Sequence, residues 1–260
     1  MTDFIHYVAR HIKKINHNKN TAWFRENQPD DQGFNRPAFH TTRRTTGPAA
    51  RIKPGDTIWI FSQLKSPWGN LFPSLDAKIV VEQVTKEDGK LRYVAGQTSL
   101  WFPLFDATSV LKKIQTKSSK GDVSPLLRGD VPVGVLLRNI REVFDNSPII
   151  ELEETINNSG LYFISYRIVD GTRLAFNFCR NLSKCNIPIF WDRWSLPRRL
   201  VERREKVSNT ALDNYLKDII KSPRCLKVYG INSPQYNAPY SYAQEEKATA
   251  KEHDKFIEII

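Results

Sequence analysis

Four short stretches of this chain place polar and ionisable side chains at the ends of apolar runs. "LYFISYR" closes on Ser165, Tyr166 and Arg167, "IPIFWD" on Trp191 and Asp192, and "CLKVYGINS" on Asn232 and Ser233. "YAQEEKATAKEH" opens on Tyr242 and carries Glu245 and Glu246 in its first turns. A buried strand that ends in polar side chains and turns into a helix is where α/β proteins usually place chemistry. A carboxylate can stabilise positive charge, a guanidinium grips phosphate oxygens in pairs, and flat rings stack on flat rings. Each residue also has a plainer explanation. Acidic residues near a helix N-terminus are favoured by the helix dipole whatever else they do. Arg167 also fits a surface arginine at a strand end, Tyr166 and Trp191 fit ordinary packing, and Asp192 fits a cap on the next turn.

The elements that must position these groups alternate. Strand patterns at 161–167, 187–191, 225–231 and 256–260 are separated by helical patterns at 171–184, 209–222 and 242–253. That alternation predicts βαβ units, a parallel sheet, and functional groups at the carboxyl ends of its strands. Residues 1–155 read differently. "DTIWIFSQL", "LDAKIVVEQVTK" and "KLRYVAG" are strands, the last two joined as a hairpin by Asp88-Gly89. Helices are expected at "DATSVLKKIQ" and within "GDVPVGVLLRNIREVFDN". Short strands with one or two helices predict a small barrel or half-barrel. The polar run Asn157, Asn158, Ser159 and Gly160 reads as a linker, so the domains are expected at 1–155 and 156–260.

Composition narrows the function classes. The 260 residues are 40% hydrophobic and 26% charged, with a net charge of +11 spread over both halves, which suits a globular protein with an anionic partner such as nucleic acid, or simply a basic surface. No apolar run is long enough for a membrane span and the first residues lack a signal-peptide pattern, so a cytoplasmic location without membrane contact is expected. Cys179, Cys185 and Cys225 form neither a metal spacing nor an even disulfide set, and His6, His11, His17, His40 and His253 show no metal spacing, so no metal is expected. The basic stretch Arg198, Arg199, Arg203, Arg204 and Lys206 is interrupted by Glu202 and Glu205. Such a stretch fits phosphate binding, an acidic neighbouring subunit, or a solvated helix.

"FISYR" followed by a helix, "IPIFWD" followed by a loop, and "GINSPQY" followed by Ser-x-Tyr and a Glu-bearing helix resemble the Toll/interleukin-1 receptor (TIR) domain. The resemblance runs from about Leu161 to the end. It implies a compact flavodoxin-like α/β fold that self-assembles through the loop after the second strand. It also implies cleavage of NAD+ as substrate, with no cofactor. The family's glutamate lies four residues after an aromatic, which here selects Glu246 after Tyr242 as catalytic and implies that Tyr166 and Arg167 line the NAD+ pocket. For such a ligand Trp191 is a candidate to stack on nicotinamide or adenine and Asp192 to orient a ribose hydroxyl. Two departures are visible: "FIEII" reads as a fourth strand with no fifth after it, and the loop "DRWSLPRRLVERREK" lacks the Pro-Gly of signalling members. Both favour a prokaryotic-type effector.

The first half has a looser resemblance to PUA-like barrels of the EVE, YTH and ASCH type, carried by "IKPGDTIWIFSQLKSPWG" and "TSLWFPLFDAT". It implies an α+β barrel that binds nucleic acid or a modified nucleotide, with Trp59, Trp68 and Trp101 as candidate walls and Ser62 and Ser99 as edge contacts. Core filling is the alternative for these tryptophans, above all for Trp59 within a strand. Together the two resemblances imply a sensor fused to an NAD+-depleting effector, as in antiviral defence.

Overall fold

The computed structural model describes residues 1–17, 20–26, 36–118, 120–127, 131–196, 210–238 and 242–259. Its strands are β1 (Asp3–His17), β2 (Asn20–Glu26), β3 (Phe39–Thr42), β4 (Thr57–Ser66), β5 (Gly69–Glu87), β6 (Lys90–Ala95), β7 (Leu100–Trp101), β8 (Gln115–Lys117), β9 (Val123–Pro125), β10 (Arg141–Asp145), β11 (Leu161–Tyr166), β12 (Ile189–Phe190), β13 (Cys225–Ile231) and β14 (Phe256–Ile259). The helices are α1 (Pro48–Arg51), α2 (Thr108–Leu111), α3 (Val133–Leu136), α4 (Ser147–Asn158), α5 (Ile168–Leu182), α6 (Asp192–Ser195), α7 (Thr210–Lys221) and α8 (Tyr242–Glu252).

The result is an α+β chain with two sheets. Ten strands form a mixed sheet ordered β3-β6-β5-β4-β1-β10-β8-β9, with β2 added to β1 and β7 to β5. The expected hairpin joins β5 to β6, and Asp88 and Gly89 both take positive φ (49° and 70°), the backbone a tight two-residue turn demands. The other sheet is wholly parallel, ordered β12-β11-β13-β14. Its helices α5, α7 and α8 have the placement that the apolar periodicity predicts.

Several expectations for the first half need correction. "REVFD" is strand β10 rather than helix, because it pairs with both β1 and β8 and sheet pairing overrides its helical pattern. Only single turns form at α2 and α3. The N-terminal strand β1 was not legible as a strand because both faces are buried, Ile5 and Tyr7 in one core cluster and Phe4 in another, so no polar alternation marks it. Asn157 and Asn158 are the last turn of α4 rather than linker, and the 155/156 boundary falls inside this helix. Ile149, Leu152 and Ile156 of α4 pack into the core of the first half.

The two halves share a core. Ile12, Leu64, Leu71 and Leu104 pack with Ile164, Phe176, Cys179, Trp191 and Trp194 in one buried cluster. Backbone hydrogen bonds run both ways between Leu104 and Ile189 at 3.0 and 2.8 Å, and the Trp194 indole N–H donates to the Phe102 carbonyl at 3.0 Å. Each large side chain buried this way contributes roughly 1.5–3 kcal/mol.

The first half also buries polar groups. His6 Nδ1 and His40 Nε2 lie 2.7 Å apart with room for one proton between them. Burial holds His6 down to about 4 against a backbone hydrogen bond that opposes it, and burial followed by the charges of His6 and Arg10 pushes His40 far down as well. An unfolded histidine takes up its proton near pH 6.5, so acid favours the unfolded chain. Stability is therefore expected to be complete above pH 6.5 and to fall as pH drops toward 4, with His6 alone accounting for on the order of 3 kcal/mol. Urea midpoints measured from pH 7.5 to 4.5 check this, and a flatter profile is expected in His6→Gln; a flat profile in the native chain would contradict a neutral buried pair.

Candidate active site

The parallel sheet reverses its strand order at β11, since β12 lies on one side and β13 on the other. Crevices at the carboxyl ends of strands around such a switch point are where open α/β sheets bind ligands. The side chains of β11 divide between two faces. Ile164 and Tyr166 join α5 and the shared core, whereas Leu161 and Phe163 join Leu212, Leu216 and Ile220 of α7 and Ala250 of α8. This division separates the expected site residues into two groups.

On the α5 face, the Tyr166 hydroxyl donates to Asp192 Oδ1 at 2.5 Å. The Arg193 guanidinium donates to both Asp192 oxygens, at 3.2 and 2.7 Å, and its side chain is 1% exposed. Burial works against the Arg193 charge, but the Asp192 carboxylate and the Tyr166 oxygen outweigh it and raise the pKa. Trp191 is fully buried between Tyr166 and Phe176, with ring centroids 6.4 and 6.3 Å away. Tyr166 and Arg193 thus share the Asp192 carboxylate, and the Trp191 ring packs beside Tyr166. Arg167 stands apart from them, half-buried at the strand end, and its Nε makes no hydrogen bond.

The opposite face carries Glu246. Tyr242 and Glu246 are both half-buried and lie four residues apart on α8, hence on one helix face. The Tyr236 hydroxyl donates to Ser165 Oγ at 3.2 Å. Tyr236 has its pKa raised mainly by burial; the Ser165 hydrogen bond opposes this, and the negative charges of Glu246 and Glu258 add to it. Tyr236, Ser165 and Glu246 thus share one neighbourhood. Lys247 borders it, donating to Asn237 Oδ1 at 3.0 Å and lying 3.6 Å from Glu258. Asp170, in the first turn of α5, accepts from the Ser233 hydroxyl and the Gln235 N–H, both at 2.8 Å, and so ties the loop after β13 to the switch point. Glu245 is more exposed and pairs with Lys217 at 2.7 Å.

Gly230 seats Tyr236. A Cβ at this position would lie 2.5 Å from the Tyr236 hydroxyl oxygen and 2.6 Å from the Phe256 ring. Gly230→Ala is expected to cost about 1–3 kcal/mol through overpacking, read as a lowered urea midpoint; a loss below about 0.5 kcal/mol, the range of a neutral surface change, would contradict this packing.

The candidate walls of the first half do not converge. Trp59 is 1% exposed and its indole N–H donates to Asp3 Oδ1 at 2.6 Å. Trp68 packs on Phe176 of α5, with centroids 5.7 Å apart, and belongs to the seam between the halves. Ser62 is fully buried and donates to Asp76 Oδ2 at 2.6 Å, while Ser99 accepts from the Val80 N–H at 2.9 Å. Among these five, Trp101 lines a cleft.

Arg193, Tyr236 and Asp170 were not singled out from the sequence. Tyr236 lies within the quoted "GINSPQY", but nothing in one dimension marks it as the group beside Ser165. The basic stretch Arg198–Lys206 lies outside the described residues. Among the described residues, no cluster of His, Cys, Asp and Glu has the makings of a metal site, and no helix is long and apolar enough to cross a membrane. No protein-family model, curated protein or solved structure matches this chain.

Proposed function

We propose that the second half is a TIR-type domain that hydrolyses NAD+, with Glu246 as the catalytic carboxylate, and that the first half is a PUA-like barrel serving as a nucleic-acid or modified-nucleotide sensor. The observation that carries the first part is the sheet order β12-β11-β13-β14, which follows the 2-1-3-4 pattern of flavodoxin-like sheets, together with the Tyr236–Ser165 hydrogen bond near the switch point, which the charge of Glu246 reaches. The proposed chemistry asks little of the protein. The bond between ribose C1′ and the nicotinamide nitrogen breaks, and nicotinamide leaves neutral with the bonding pair. The Glu246 carboxylate stabilises the oxocarbenium charge, and water adds to C1′ with loss of its proton. Arg167, at the end of β11, is the group suited to the pyrophosphate.

A second reading has a specific observation in its favour. Tyr166, Trp191 and Asp192 are committed to Arg193 and the shared core, which suits a non-catalytic module used for self-association. Incubation of concentrated protein with NAD+ and a crowding agent separates the two: nicotinamide and ADP-ribose or its cyclic form are expected products, and intact NAD+ under conditions where light scattering shows assembly supports the scaffold. For the sensor half, binding to nucleic acid is expected to weaken steeply with added salt.

A further inference from the structure

The first half presents a strip in which cations and exposed apolar side chains alternate. Strand β10 buries Val143 in a core, so its neighbours Glu142 and Phe144 point the other way. Glu142 lies directly opposite Lys117 of β8, and Lys117 directly opposite Val123 of β9, so these three side chains share one face. Phe144 and Val123 are 52% and 42% exposed, and the Lys117 ammonium lies 5.8 Å from the centre of the Phe144 ring. Helix α1 and the turn before it border this face. Arg51 reaches Glu142 Oε2 at 3.0 Å, and Arg44 donates Nε to Asn139 Oδ1 at 3.0 Å.

The charges of the strip do not balance. Glu142 serves two cations, Arg51 at 3.0 Å and Lys117 at 3.1 Å, and its side chain is 14% exposed where theirs are 52% and 37% exposed. The cations therefore stand outward of the anion that holds them. Arg44 rests on a neutral amide, and Arg43 and Arg138, adjacent in sequence to the Arg44–Asn139 contact, are exposed as well. The acidic neighbours are Asp122 and Asp145, engaged by the hydroxyls of Ser118 and Ser147 at 3.2 and 2.6 Å. Exposed ion pairs add little to stability, so phosphate oxygens can take the place of Glu142 on Arg51 and Lys117 at small cost.

An unpaired strand of nucleic acid offers what such a surface takes: phosphates for the cations and flat base faces for an exposed ring. An anionic membrane also offers phosphates, but its hold grows with the apolar area inserted, and one phenylalanine and one valine supply little. We propose that this strip binds single-stranded nucleic acid, with backbone phosphates on Arg44, Arg51 and Lys117 and a base stacked on Phe144. The proposal rests on the reading of the first half as a nucleic-acid sensor and names the polymer and the surface for it.

Fluorescence anisotropy tests this with a labelled oligothymidylate and the same strand without bases, each titrated with the full chain. Oligothymidylate is expected to bind with a micromolar Kd in low salt, and log K should fall against log salt with a slope of about −2, as a single strand held at a few phosphates gives. Arg51→Gln and Lys117→Gln should each weaken both strands several-fold and lower that slope by about 0.7. Phe144→Ala should weaken the strand with bases about fivefold or more and leave the abasic strand within about twofold. Glu142→Gln should tighten binding, a gain that no folding defect produces. Arg173→Gln, an equal loss of charge at an exposed position of α5, should leave binding unchanged. No binding of either strand, with or without binding to phosphatidylserine vesicles, would overturn both the sensor reading and this proposal. Strand binding unmoved by the Arg51, Lys117 and Phe144 substitutions, or an equal effect of Phe144→Ala on both strands, would overturn the proposal and leave the sensor reading standing.

Discussion

Asp76→Ala is expected to lower the stability of this protein by about 3–5 kcal/mol, a large part of the 5–15 kcal/mol that holds a typical domain together. Arg10 is 0% exposed and directs Nε and a terminal nitrogen to Asp76 Oδ2 at 2.8 and 2.7 Å, and the Ser62 hydroxyl reaches the same oxygen. Removing the carboxylate leaves a buried guanidinium without its counter-charge and Ser62 without its acceptor. A fully buried cation has no water to fall back on, so most of the desolvation cost appears as lost stability. The thermal midpoint should drop by roughly 10 °C for a chain of this size. Replacing both partners, as in Arg10→Met with Asp76→Leu, is expected to restore most of the loss, because an apolar pair of similar volume carries no desolvation cost. A single substitution that costs less than 1 kcal/mol, or a double substitution as damaging as the single, would contradict this account of the pair.

The second half was the more legible in the sequence, for a physical reason. Helices α5 and α7 each bury one stripe, so Ala175, Phe176 and Cys179, and Leu212, Leu216 and Ile220, recur at helical spacing. The strands between them are apolar runs ending in polar residues, which marks their direction as well as their extent. In the first half β1 is buried on both faces and β10 carries a helix-like pattern, so their pairing is a long-range fact without a local signature. Helix α4 was hidden by its Asn157-Asn158 end, although its buried Ile149, Leu152 and Ile156 have the expected spacing.

Of the candidate site, the strand ends and the Tyr242–Glu246 spacing were readable, but which face each side chain takes was not. Tyr166 and Ser165 are neighbours in sequence and lie on opposite faces of β11, so one joins Asp192 and the other Tyr236. Arg193 was invisible for a related reason. A cation adjacent to an aspartate in sequence looks like a surface pair until the fold covers it, and here it is buried and donates to both Asp192 oxygens.

The second large effect concerns Glu246. If its carboxylate stabilises the cationic ribose, Glu246→Gln keeps the size of the side chain and removes its charge, and NAD+ turnover is expected to fall by about 10²–10³-fold or more. Glu245 has an adjacent carboxylate, but it is paired with Lys217 and turned to solvent, so Glu245→Gln should retain activity near that of the native chain. The contrast separates a catalytic carboxylate from a helix-terminal charge, because the dipole favours both residues alike. Equal unfolding midpoints for the two variants would show that the difference lies in chemistry.

The most direct measurement is nicotinamide release from NAD+, quantified by chromatography for the native chain, Glu246→Gln and Glu245→Gln at a concentration where light scattering shows assembly. Release by the native chain and by Glu245→Gln, abolished in Glu246→Gln, is the predicted result. No release by assembled native protein, or release undiminished in Glu246→Gln, would contradict the assignment of Glu246 as the catalytic carboxylate of an NAD+ hydrolase.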